Sequence, residues 1–109
     1  MARVFFVQKA DRFDTSTASE YGEKLYLVSP HVSAFNVDSF VQALLRSLDE
    51  YKYDPATDYI ALTGQTICVA FMVGILLARY GRLRVLLFDA RVGKYQERIL
   101  EQPAMDIGV

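Results

Sequence analysis

Between residues 67 and 78 no side chain carries a charge, and this run lies between two short apolar stretches at 59–62 and 83–88. Thr63-Gly64 breaks the first stretch before Gln65 opens the long run, and Gly81 closes it. The lengths predict strand, turn, helix and strand in that order. A helix that is apolar all round has no polar face to turn to water, so it must be covered on every side. A membrane span needs about 20 apolar residues and this run is shorter, so protein is the expected cover and no membrane association is expected. Arg79 and Arg82 place cations near the negative end of the helix, and Gly81 suits its C-terminal cap. Strand, helix and strand in sequence form a parallel crossover. Residues 89–93 then read as a turn and 94–100 as an antiparallel return, whose charges Lys94, Glu97 and Arg98 suit an exposed edge.

The N-terminal half supplies the remaining elements. Residues 3–8 and 24–28 are short β-rich runs, the second stopped by Ser29-Pro30. The polar stretch 9–23 between them has little to bury and reads as a long loop, so the two strands can form a long-looped hairpin. Asn36 stands at a helix N-cap position with Asp38 in the first turn. Val37, Phe40, Val41, Leu44, Leu45, Leu48 and Tyr51 then fall at helical spacing and define an ordinary amphipathic helix. The element order is β-β-α-β-α-β-β: one α/β domain over 1–109, with a mixed sheet of about five strands and an irregular tail at 101–109. The centre of the sheet is expected to be parallel, with the first and fifth strands antiparallel at or near its edges.

Apolar residues alternate onto both sides of these strands, so the sheet must be covered on both faces. Two helices, one to a face, would cover a sheet of this width only in part, and the second would still expose its outer side. A partner chain would resolve that deficit. Ala70, Gly74 and Ala78 line up at a spacing of four as a small-residue stripe on which another backbone could approach. Close packing of the helix on its own sheet would use the stripe equally well. The expectation is a homo-oligomer, a dimer in the first instance, with this helix or an uncovered sheet face at the interface.

Composition excludes several classes of function. A hydrophobic fraction of 52% and a charged fraction of 23% describe a folded globular chain, and a net charge of -1 gives no global attraction to nucleic acid or anionic lipid. Residues 79–98 nevertheless hold six of the 12 basic side chains: Arg79, Arg82, Arg84, Arg91, Lys94 and Arg98. Helix capping and edge solubility account for them; a basic face for nucleic acid is the alternative. With a single cysteine, Cys68, there is no intramolecular disulfide, and the residue reads as a small buried hydrophobe. The N-terminus lacks the small-residue cleavage site of a secretory signal, so a cytoplasmic location is expected.

The motifs weigh against catalysis. Thr63, Gly64, Gln65 and Thr66 lie between a strand and a helix N-terminus, where free N–H groups favour a phosphate or nucleotide, although the glycines and lysine of a P-loop are missing. Capping of the helix by Thr63 is the simpler reading. His31, the one histidine, sits in a loop without a nucleophile motif, and Asp49, Glu50, Asp54 and Asp58 have polar neighbours that place them at the surface. The aromatics from 51 to 59 pack at a helix end, or else stack on bases. No enzyme activity, catalytic residue, metal or cofactor is expected.

Residues 58–64 (DYIALTG), 82–89 (RLRVLLFD) and Gly93-Lys94-Tyr95 resemble small uncharacterised proteins encoded by tailed bacteriophages. The likeness covers roughly the C-terminal half; Gly74 within the apolar helix and the 9–23 loop depart from it. The resemblance implies a small early or accessory phage protein acting inside an infected cell, in the host cytoplasm; a host or phage protein is a candidate partner. A non-enzymatic, self-associating protein that binds a macromolecule is therefore the leading expectation. A phosphate-binding module at Thr63-Gly64 and a weak nucleic-acid binder are the alternatives.

Overall fold

The computed structural model describes residues 2–9 and 12–102. Its elements are β1 (Arg3–Gln8), a 3-10 turn (Ser16–Glu20), β2 (Glu23–Val28), α1 (Val37–Glu50), β3 (Tyr59–Ala61), α2 (Thr66–Tyr80), β4 (Arg82–Asp89) and β5 (Lys94–Glu101). As expected, five strands form one mixed sheet with a parallel centre, two helices and an antiparallel β4–β5 hairpin. From residue 103 the tail lies outside the described residues.

The order across the sheet is β2-β1-β3-β4-β5, with β1 parallel to both β2 and β3. This corrects the expected hairpin, because β1 is an interior strand and not an antiparallel one at the edge. Two physical reasons decide it. A parallel connection needs about a dozen residues or more, and residues 9–22 supply them. Val4, Phe5, Phe6 and Val7 are all buried, so β1 must be enclosed on both faces.

Both helices lie on one face. Phe40, Leu44 and Leu48 of α1 and Cys68, Met72 and Leu76 of α2 share a core with Phe5, Val7, Ile60, Leu83 and Val85. The helices meet each other through Phe40 and Phe71, whose ring centroids are 5.8 Å apart. The opposite face carries Val4, Phe6, Tyr59, Ala61, Leu86 and Tyr95, and Ala18 packs into it. Tyr21 stacks edge-on to Tyr59 at 5.3 Å and donates its hydroxyl to the Tyr95 carbonyl at 3.0 Å. The polar stretch between β1 and β2 is thus the second layer, anchored by a small residue and an aromatic one. Gly22 ends it against β1: its φ is +151°, and a Cβ there would stand 2.2 Å from the Ala2 carbonyl oxygen.

The edge of the sheet where the parallel strands begin is tied by one ion pair. Asp58 is buried and not at the surface as its polar neighbours suggested; its Oδ2 lies 2.8 Å from Arg3 Nη2. The same carboxylate accepts the backbone N–H groups of Arg3 and Asp54, at 3.2 and 2.9 Å. Arg3 also donates to the carbonyls of Tyr51 and Lys52, where the negative end of α1 needs donors. One guanidinium therefore joins β1, the end of α1 and the entry to β3. Beside it Tyr53 packs on Phe5 and Tyr80, at 5.7 and 5.1 Å, while Tyr59 faces the other side of the sheet, so these aromatics form no common stacking platform.

Asp58→Ala removes one partner of a buried pair and is predicted to cost about 3 kcal/mol in urea unfolding at neutral pH; a loss below about 1 kcal/mol would contradict this role. Burial raises the Tyr53, Tyr59 and Tyr95 phenols above their ordinary value, Tyr53 the most. The folded state holds these protons more tightly than the unfolded one. Stability is therefore full below about pH 10 and falls as pH rises beyond it. The Tyr53 hydroxyl has no partner among the described residues. Tyr53→Phe is predicted to gain up to about 1 kcal/mol at neutral pH and to flatten the alkaline fall in melting temperature.

Candidate functional site

The strand order creates a switch point. From β1 the chain moves to β2 on one side, and from β2 it returns through α1 to β3 on the other, so the ends of β1 and β3 diverge. In open α/β sheets, crevices at such a point and at the carboxyl ends of the strands hold ligands. Gln8, Lys9, Thr63 and Gly64 stand at those ends here.

Local chemistry fixes Gln8, Thr63 and Gly64, while Lys9 is exposed. Gln8 donates its amide to the Ser29 and Val32 carbonyls at 2.9 and 2.7 Å, and its Oε1 accepts the Cys68 thiol at 3.5 Å. Gly64 has φ +147°, and a Cβ would stand 3.0 Å from Val7 Cγ1, so the turn closes tightly over β1. The N-cap of α2 is Gln65, without a side-chain cap bond, and Thr66 is the first helical residue. Thr63 does not cap the helix; its hydroxyl lies 2.8 Å from the Tyr95 hydroxyl. The free N–H groups of the first turn of α2 therefore open at this end of the sheet.

Two cavities flank Phe13 on the face opposite the helices. One, of about 280 Å³, is lined by Phe6, Gln8, Lys9, Phe13, Thr15, Lys24, Tyr26 and Thr63. The other, of about 420 Å³, adds Arg12, Asp14, Gly64, Leu87, Phe88 and Tyr95 around the same Phe13 and Thr63. Lys24 Nζ is 3.3 Å from Thr15 Oγ1. The Asp14 carboxylate accepts the Ser16 N–H at 3.0 Å, which holds its pKa below the usual range. Phe88 packs on Tyr95 with centroids 5.3 Å apart.

Of the residues singled out in sequence, Thr63 and Gly64 line this cleft, whereas Gln65 and Thr66 are exposed and line neither cavity. Sequence reasoning missed Gln8, Lys9, Phe13, Thr15, Lys24 and Tyr26. The length of the 9–22 connection was the signal for them, because only a parallel β1–β2 pair sets Lys24 beside Val4 and Tyr26 beside Phe6.

The six cations of 79–98 are divided. Arg79, Arg82, Arg84 and Arg91 pair with Asp49, Glu101, Glu97 and Asp89. Arg84 pairs in register with Ile99 and Arg98 with Val85, which puts the two arginines on opposite faces of the sheet. Arg98 donates to the Glu97 carbonyl and to Gln96, and Lys94 is exposed beside the hairpin turn. Ala70, Gly74 and Ala78 are all exposed along the outer side of α2, away from the sheet.

His31 is exposed after β2, and its backbone N–H faces Ser29 Oγ at 3.4 Å. Burial raises the Cys68 thiol, which keeps it protonated. Among the described residues no group of three or more His, Cys, Asp or Glu is placed to hold a metal ion, and no helix is long and apolar enough to cross a membrane.

Neither the curated proteins nor the solved structures contain a match to this chain. A family model does match, over residues 2–102, which takes in every strand and both helices. That model describes the Phage Pam3 gp32-like protein, and the chain belongs to this family.

Proposed function

We propose that this protein is a non-enzymatic phage accessory protein that self-associates through the outer face of α2 and, so assembled, binds a host or viral macromolecule in the host cytoplasm. The observation that carries the reading is the surface α2 leaves uncovered. The helix turns Cys68, Met72 and Leu76 to the sheet, while Ile67, Ala70, Gly74 and Ala78 face outward. Ile67 is 51% exposed, and beyond its chain neighbours and the backbone of α2 itself no atom of the described residues lies within 4 Å of where a Gly74 Cβ would stand.

A mid-helix glycine costs about 1 kcal/mol relative to alanine. Packing among the described residues gives no return for that cost at Gly74. A second helix crossing there would, because Ala70, Gly74 and Ala78 let two backbones approach closely, with Ile67, Phe71 and Leu77 packing to either side. A twofold contact uses the same patch on both copies and closes into a dimer. The partly paired cations of 79–98 give nucleic-acid binding less support.

Light scattering over a dilution series tests the reading. The wild-type chain is predicted to be a dimer or larger at micromolar concentration, and Gly74→Arg a monomer with the native circular dichroism spectrum, since the added side chain meets only solvent in the single chain. A wild-type monomer at all concentrations would overturn the proposal, as would a Gly74→Arg chain that assembles undiminished.

A further inference from the structure

The cleft at the carboxyl ends of β1 and β3 lies on the other side of the sheet from the helix layer, and its chemistry is divided. Its smaller cavity is cationic: Lys9 and Lys24 line it with the polar groups of Gln8, Thr15 and Thr63. Lys24 is half-buried, and its ammonium contacts only the Thr15 hydroxyl among the described residues. A half-buried ammonium without a direct carboxylate contact keeps donors free for an anion. Five arginines elsewhere in the chain have such contacts. The larger cavity is aromatic: Phe13, Phe88 and Tyr95 line it, and Arg12 lies over the Phe13 ring at 4.9 Å. Among the described residues Asp14 is its one carboxylate; it accepts the Ser16 N–H and feels the Lys24 charge at longer range.

We propose that this cleft binds a nucleoside monophosphate, with the phosphate against Lys24 and Lys9 and the base against Phe13 and Phe88. The two cavities adjoin at Phe13 and Thr63, as a ligand with a charged end and a flat end requires. Their volumes of about 280 and 420 Å³ are those of small-molecule sites. A bare phosphate would leave the aromatic half empty. An uncharged ring would leave the donors of Lys24 without an anionic acceptor in direct contact. Neither half depends on the outer face of α2, so the site stands whether or not the chain dimerises.

The test is an NMR titration of the full chain with the four ribonucleoside 5′-monophosphates, inorganic phosphate, adenosine and a short single-stranded oligonucleotide. At least one monophosphate is expected to give saturable shifts at Lys24, Thr63 and Gly64, and to bind more tightly than phosphate or adenosine. Lys24→Gln is expected to weaken binding about tenfold, as loss of a charged contact does. Phe88→Ala, at a residue already 43% exposed, is expected to weaken it about tenfold through lost stacking. Unchanged melting curves for both variants would tie the losses to the site. The proposal is overturned if no monophosphate gives saturable shifts, if both variants bind like the wild type, if phosphate alone binds as tightly, or if the oligonucleotide binds far more tightly than every monophosphate.

Discussion

Everything in this fold follows from a mixed sheet whose parallel centre is apolar on both faces. β1 is its axis, with four consecutive buried residues from Val4 to Val7, and water can be allowed at neither side. Helices can satisfy only one side. The steps from β2 to β3 and from β3 to β4 run in the same direction across the sheet, and parallel crossovers keep one hand, so α1 and α2 fall on the same face. The step from β1 to β2 runs the other way and delivers its connection to the opposite face. There Ala18 and Tyr21 are enough to seat a segment that contains only a 3-10 turn.

The same reversal separates stability from recognition. Where the parallel strands begin, Arg3 and Asp58 join β1, α1 and β3 through one buried ion pair, and the aromatic cluster of Phe5, Tyr53 and Tyr80 packs beside them. Where the strands end, β1 and β3 part, and the cations and aromatic rings of the cleft gather around Phe13 and Thr63. α2 spans the two regions. Its inner side completes the core, and on its outer side Gly74 meets no other element among the described residues.

Periodicity and breakers made much of this legible. The uncharged run, Gly81 as a left-handed cap at φ +77° and the β4–β5 hairpin were readable because local chemistry decides them; Asn36 does stand at the N-cap of α1, but without a side-chain cap bond. Strand order was not, since Val4 to Val7 fit an edge or a central strand equally well by composition. The second layer was hidden for a related reason: in a polar stretch, one alanine and one tyrosine give no periodic signal. Asp58 was misread because its polar neighbours do not reveal a long-range partner, and Arg3 lies far from it in the chain. With β1 misplaced, the cleft shrank to Thr63-Gly64, and Lys24 and Phe13 were lost from it.

The central claim is that the chain itself encloses the central strands β1 and β3 on both faces, while the outer face of α2 stays open for a second copy. Nuclear Overhauser contacts in a sample dilute enough to be monomeric test it most directly. The account predicts contacts from the Tyr21 ring to Tyr59 on one face, together with Phe40 to Phe71 on the other. Random-coil shifts for residues 12–22, with no Tyr21–Tyr59 contact in the monomer, would contradict it and would mean that a partner supplies the second layer.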